Sequence, residues 1–318
     1  MTSPVTTEVR RLADSALGWL SGHRDGFRLG DDALEPDADV NGSWKPVGEL
    51  AQMCLCVRRA TRPGTTAHDT AVDLIRHAWR ETRDGALFLD VQRLEPWASY
   101  PFEVYAAFAS AGLRNPAYEH FTATLVRTRA WRTTEQLPNR LLSVLNSECR
   151  TGLTPHEATS AALRRTWLGG LPEPWAFERT AGYTLTHVVY HLTDWGHDPH
   201  RVPEDIAAYL HAWLPAWLDN CVEAGLWDLS CELLAVAASL PDPPAPELTD
   251  DAWRALALAQ DTSGALPETD RGPHGEEVPR VFANCYHSTL VAAFAATLTA
   301  ARRAEASDSD ATHRGVPQ

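Results

Sequence analysis

Residues 203–240 read PEDIAAYLHAWLPAWLDNCVEAGLWDLSCELLAVAASL, and this stretch decides the fold. Its first half opens on Val202-Pro203-Glu204-Asp205, a proline in the first helical turn followed by two acids at the positive end of the helix dipole. Apolar residues then return with the helical period through 224, leaving one polar face, and Gly225 supplies a stop. The second half, ending CELLAVAASL, is apolar on nearly every side and rich in small residues. A helix with one polar face followed by a helix that water cannot reach is a hairpin with an outer and an inner member.

The same pattern runs outward along the chain. Amphipathic stretches cover 4–20, 65–83, 115–131, 155–167, 203–224 and 282–303, and strand alternation is nearly absent. Asn115-Pro116 and Thr154-Pro155-His156-Glu157 open helices with a capping side chain and a proline at the first position. Gly22, Gly85, Gly112 and Gly169 read as helix stops. A tryptophan before a glycine turn recurs in W19-LSGHRDGF27, W79-RETRDGALF88, W217-LDNCVEAGLW227 and W253-RALALAQDTSGAL266. The more apolar segments after the turns begin near Ser43, Ser99, Leu137, Ala181, Leu226 and Val281, at spacings of 56, 38, 44, 45 and 55 residues. Two packed helices with short loops need about that length. Six hairpins predict an all-α chain with one domain over 1–303, a loop at 241–246 (PDPPAP) and a disordered tail over 304–318.

Composition bounds the function. The 318 residues carry a formal charge of -14 and are 44% hydrophobic, which fits a soluble globular chain and argues against nucleic acid, whose phosphates would be repelled. No apolar run reaches the ~18–20 residues of a membrane span. The start, MTSPVTTEVRRLADSALGWL, lacks the apolar core and cleavage site of a signal peptide, so a cytoplasmic location is expected. The six cysteines are then reduced thiols, and Cys54 and Cys56, two apart on a helix, read as packing. Asp31-Asp32 and Asp37-Ala38-Asp39 read as a solvated loop.

The repeat resembles the (α/α)6 toroid shared by terpenoid cyclases, protein prenyltransferase β-subunits, lanthipeptide cyclases and six-hairpin glycosidases. Arg24-Asp25-Gly26-Phe27 and Gln260-Asp261-Thr262-Ser263-Gly264-Ala265-Leu266 look like the Gln-x-x-Asp-Gly-x-aromatic turns of those families. The resemblance implies alternating outer and inner helices, with the N-terminal ends of the inner ones gathered at one mouth. Residues expected there include Trp44, Lys45, Glu49, Tyr100, Glu103, Arg140, Asn146, Tyr183, His187, His191, Asp228, Cys231, Glu232, Cys285, Tyr286 and His287.

Three of these segments carry chemistry. His187 and His191 stand four apart on one helical face, and Asp228 and Cys231 three apart on another. Tyr286-His287-Ser288-Thr289 is similar to the Tyr-His-Thr zinc segment of prenyltransferase β-subunits, while Asp228-x-x-Cys231 departs from their Asp-x-Cys spacing. Thiolate with imidazole suits zinc, so the expectation is a zinc ion held by Cys231 and His287, with His187 or Asp228 as a further ligand. His187, Asp228, Glu103 and Tyr286 are the candidate catalytic residues. The competing reading of each cysteine and histidine is plain packing inside a helical core.

No P-loop, dinucleotide fingerprint, His-Glu-x-x-His or Asp-x-Asp-Asp signature occurs. With the polar residues at the inner-helix starts, the toroid resemblance implies an enzyme of cyclase, transferase or lyase type in specialised metabolism. It would act on a small or peptide-like substrate in the mouth, with zinc as the implied cofactor. The alternatives are a non-catalytic binding protein with an aromatic-lined pocket, and a subunit that needs a partner. Twelve tryptophans and seven tyrosines suit either a pocket or the wedges between hairpins.

Overall fold

The computed structural model describes residues 4–30, 33–35, 40, 42–272, 275–276 and 278–314, with side chains through 307. Among them the chain is all-helical, with fourteen α-helices and no strand. They are α1 (Pro4–Gly22), α2 (Trp44–Ala60), α3 (Thr66–Glu81), α4 (Ala86–Leu94), α5 (Tyr100–Ser110), α6 (Pro116–Leu125) and α7 (Arg129–Thr133). The second half contributes α8 (Pro138–Thr151), α9 (Thr159–Leu163), α10 (Arg179–Leu192), α11 (Glu204–Glu223), α12 (Trp227–Ala238), α13 (Asp250–Ala259) and α14 (Phe282–Arg314). Asp31-Asp32 and Asp37-Ala38-Asp39, read as a solvated loop, lie outside the described residues, as do 315–318.

The six apolar segments begin where the repeat places them, since α2, α5, α8, α10, α12 and α14 start within two residues of the six positions. Every residue of α12 is buried, from Trp227 to Ala238. Each of the six packs on the next: α2 on α5, α5 on α8, α8 on α10, α10 on α12, α12 on α14, and α14 back on α2. The amphipathic helices cover them. α1 lies on α14 and touches α3 and α13; α3 lies on α2, and α11 on α12. Small residues bring the last two inner helices close, with Ala235, Ala237 and Ala238 facing a helix that carries Ala292, Ala293, Ala295 and Ala296. One apolar cluster runs from Val5 to Ala300, and a satellite forms around Phe102, Trp131 and Val144. No described helix is long and apolar enough to cross a membrane.

Local chemistry accounts for the element ends. The side chains of Thr65, Asn115 and Thr128 each accept a backbone N–H from the first turn of the helix they precede. The cap at Thr128 also divides the expected helix over 115–131 into α6 and α7. At the last glycine turn, Asp261 Oδ1 accepts from the Ser263 and Ala265 amides at 2.7 and 3.2 Å. Gln260 Nε2 donates to the Leu12 carbonyl of α1 at 3.2 Å. Gly264 stands at φ +96°, and a Cβ there would lie 2.2 Å from the Ser15 carbonyl oxygen, so only glycine fits against α1. The turn that resembles the toroid motif is thus a clamp between hairpins.

Three expectations are corrected. The helix expected over 155–167 shrinks to α9, because the segment before it turns back onto α8. There the buried Glu148 carboxylate takes the His156 amide at 3.0 Å, His156 Nδ1 at 2.8 Å and Trp131 Nε1 at 3.1 Å. The helix α4, which the sequence reading omitted, inserts Phe88 among four aromatic rings. Finally, α14 continues through 304–314 instead of ending at 303, since the polar residues after Arg303 include no proline or glycine that would stop it before Arg314.

Candidate functional site

A cavity of about 360 Å³ opens between α2, α5, α8 and α10. Its charged groups and histidines are Lys45 and Glu49 from α2, Glu103 from α5, Arg140 and Arg150 from α8, and His187 and His191 from α10. Trp44, Tyr100 and Trp195 supply aromatic wall. The spacing that produces this is helical. Lys45 and Glu49 are four apart, as are His187 and His191, so each helix presents two groups from one face.

The carboxylate of Glu103 accepts from the Ser143 hydroxyl, and Arg140 Nη1 approaches its Oε2 at 3.3 Å. Its Oε1 is buried and meets no donor among the described residues. Two further buried polar atoms on the lining are likewise unpartnered, Asn146 Oδ1 and Arg150 Nη2. At the floor, Asp194 receives Arg59 Nη1 at 2.9 Å and Arg150 Nε at 3.3 Å. Gln52 Oε1 takes Arg150 Nη1 at 2.7 Å. Asp194 and Trp195 both adopt left-handed backbone, at φ +48° and +60°, which turns the chain sharply after α10.

Behind the wall formed by Glu49 and His187 lies a second group. His287 Nδ1 donates to Glu49 Oε2 at 2.9 Å. Its Nε2 faces Asp228 Oδ1 at 3.4 Å and Glu232 Oε1 at 3.8 Å. The Tyr183 hydroxyl donates to Asp228 Oδ2 at 2.8 Å, and the Thr186 hydroxyl donates to Glu232 Oε2. Burial pushes the Asp228 carboxyl up to about 6, aided by the Glu232 charge and opposed by His287. For Glu232 burial acts in the same direction, but the neighbouring His187 and His287 outweigh it and hold the carboxyl below its ordinary range. His287 is pushed down by burial, yet Glu49, Asp228 and Glu232 together raise it well above the usual imidazole range.

The expected ligand set is only partly assembled. Asp228, Glu232 and His287 each bring a ligand atom within 4.8 Å of the others. Cys231 stands outside that group, fully buried, with its thiol pushed well up by burial and then by the two acids. The reason is angular: along a helix Glu232 follows Asp228 by four residues and shares its face, whereas Cys231 lies about 100° from Glu232 around the axis. His187 donates Nδ1–H to the Tyr183 carbonyl at 2.7 Å and lies 3.9 Å from Glu232, with its other nitrogen left for the cavity it lines. Glu103 lines the cavity; Asp228 and Tyr286 stand behind it. Tyr286 is stacked on Phe282 at 5.2 Å between ring centres, and burial followed by the charge of Glu49 raises its hydroxyl. Two acids hold the group together, Glu49 and Glu232; both were expected at the mouth, Glu49 as one of several candidates for an acid/base carboxylate pair and Glu232 with no role. The four-residue step from Asp228 to Glu232 is the signal that could have found the second of them.

His191 sets a pH dependence. Burial pushes its imidazole well below the usual range, and the nearby His187, Arg140 and Arg150 push the same way. The folded chain therefore keeps it neutral, while the unfolded chain protonates it below about pH 6.5. Its contribution to stability is complete above that pH and is lost as pH falls below it. Urea midpoints should drop between about pH 7 and about pH 5.5, and drop less in His191→Gln. Equal drops in both proteins would remove His191 as the source.

The chain matches the domain of unknown function DUF6895 over residues 13–297, and it is a member of that family. No curated protein and no solved structure matches it.

Proposed function

We propose that the six apolar helices close an (α/α)6 toroid, and that the chain is an enzyme acting on a small or peptide-like substrate with an anionic group in the cavity at its mouth. The return of α14 onto α2 supports the ring. The observation that carries the activity is that three residues of the cavity lining, Glu103 on α5 and Asn146 and Arg150 on α8, each hold a buried atom without a hydrogen-bond partner: two acceptors, Glu103 Oε1 and Asn146 Oδ1, and one donor, Arg150 Nη2. Leaving such atoms without partners costs about 1–3 kcal/mol each, and a polar substrate that supplies the partners removes the cost. The volume of about 360 Å³ is at the small end of the range for small-molecule sites.

The reaction this lining favours is proton abstraction of lyase type. Lys45 and Arg140 hold the anionic group, and Glu103 Oε1 and Asn146 Oδ1 accept the substrate's donors. His187, fixed by its bond to the Tyr183 carbonyl, takes the proton at its other nitrogen. Arg150 Nη2 then meets the negative charge that develops as the proton leaves.

The test is to incubate the pure chain with small carboxylates, hydroxy acids and short peptides, and to follow consumption by mass spectrometry and binding by thermal shift. Turnover by the wild type that falls by about 10²–10⁴-fold in a folded His187→Asn variant supports the reading. Binding without turnover would overturn the enzyme in favour of a binding protein, and neither binding nor turnover would overturn both.

A further inference from the structure

The geometry points to a divalent transition-metal site at Asp228, Glu232 and His287, formed from two carboxylates and one imidazole without a thiolate. The distances place the imidazole within ion-pair range of both acids but outside hydrogen-bonding range of either. An N–H···O bond needs about 2.7–3.2 Å. The Nε2 of His287 stands 3.4 Å from Asp228 Oδ1 and 3.8 Å from Glu232 Oε1, beyond that range for both. An ion about 2.0–2.2 Å from each donor spreads its ligands by about 3–3.6 Å; the 3.4 Å from His287 to Asp228 falls in that range, while the 3.8 Å to Glu232 and the 4.8 Å limit for the whole group leave Glu232 to draw in on the ion.

A second observation is independent of the clustering. Asp228 Oδ1 is buried with no hydrogen-bond partner among the described residues, although Asp228 is only 3% exposed. A buried carboxylate oxygen whose facing imidazole stands 3.4 Å away, too far for a hydrogen bond, leaves room for a closer cation.

The outer contacts fit the same assignment. The far atom of each candidate ligand is already held. His287 Nδ1 donates to Glu49, Asp228 Oδ2 accepts from Tyr183, and Glu232 Oε2 accepts from Thr186. The bond to Glu49 fixes the ring of His287 with Nε2 toward the two acids, as carboxylates do behind metal-bound histidines, so that an ion displacing the Nε2 proton would find its lone pair already aimed. Oxygen donors with one imidazole accept manganese, iron(II) or zinc, and they lack the sulfur that selects zinc from the others. The ion would lie behind the wall made by Glu49 and His187, offsetting the charge of the buried acids beside the cavity.

Binding is read directly, so the result does not depend on any turnover in the cavity. The purified chain, stripped with a chelator, is titrated with Zn²⁺ and with Mn²⁺ by calorimetry, and the bound metal is counted by elemental analysis. One ion per chain is expected, with affinity reduced in Asp228→Asn, Glu232→Gln and His287→Ala and retained in Cys231→Ser. Tyr183→Phe should weaken binding by about 10–100-fold while leaving every ligand in place. Since the core variants can misfold, the wild type is also loaded with Co²⁺. Its spectrum should show d–d bands without a thiolate-to-cobalt charge-transfer band. Absence of stoichiometric metal in the wild type, unchanged affinity in all three ligand variants, or a thiolate band lost in Cys231→Ser would each overturn the site.

Discussion

Replacing Asp194 with alanine is expected to lower the unfolding free energy by about 3–5 kcal/mol, the cost of removing one partner from a buried ion pair. The position has the required burial. The side chain of Asp194 is 14% exposed and that of Arg150 is 6% exposed. Arg59, at 22%, meets the second carboxylate oxygen. Loss of the carboxylate leaves two arginines facing each other with Gln52 and Ser110 as the neutral acceptors Arg150 retains. The backbone adds a smaller cost. Asp194 has φ +48°, which aspartate and asparagine tolerate better than alanine. Asp194→Asn separates the two contributions, since it keeps the left-handed preference and discards the charge, and it should fall between wild type and alanine. Urea denaturation of the three proteins measures this. A loss below about 1 kcal/mol in alanine, the scale of an exposed pair, would show that water screens the arginines and that the floor of the cavity is wet.

The same residues show what a single chain discloses. The inner helices were legible because burial leaves its mark on the sequence: α12 exposes no face to solvent and is apolar apart from Asp228, Ser230 and Glu232, and its start at Trp227 falls one residue from the expected Leu226. The cavity lining was legible for a related reason, as Glu103 and Arg140 sit in the first turns of α5 and α8, and His187 on α10, where a core residue would be apolar. Pairings across helices were not legible. Nothing in the order of residues says that Glu49 meets His287, 238 positions away, or that Glu148 turns back the segment at His156 and so shortens the helix expected there. The thiol of Cys231 drew attention because sulfur suits zinc, while Glu232, one residue on, shares the face of Asp228. Residue type suggested the first, and only the helix's angular position selects the second. Packing also overrode local signals at α4, whose nine residues are held by what Phe88 touches rather than by length or caps.

That dependence makes Phe88 the sharper test of how the cavity wall is held. Phe88→Ala is expected to cost about 3–5 kcal/mol, combining lost transfer energy with the cavity left behind. The ring is fully buried and lies 5.4 Å from Trp44, 5.4 Å from Tyr105, 5.9 Å from Phe108 and 5.6 Å from Tyr118, centre to centre. Those four rings belong to α2, α5 and α6, so one side chain of a short outer helix joins three others. The partners have little room to close over a void. Trp44 is fixed by its indole N–H on the Ala33 carbonyl at 3.0 Å, and the Tyr118 hydroxyl donates to Gln92 at 2.9 Å. Phe88→Leu, which keeps most of the volume, should lose mainly the ring-on-ring contacts, about 0.5–1.5 kcal/mol for each pair that matters. Chemical denaturation of both variants decides the case, and a cost under about 1.5 kcal/mol for alanine would mean that the rings collapse into the gap. Trp44 also adjoins Lys45 and Glu49, the first charged residues of the cavity wall. A rigid Phe88 cluster therefore fixes the start of α2, and with it the carboxylate that orients His287.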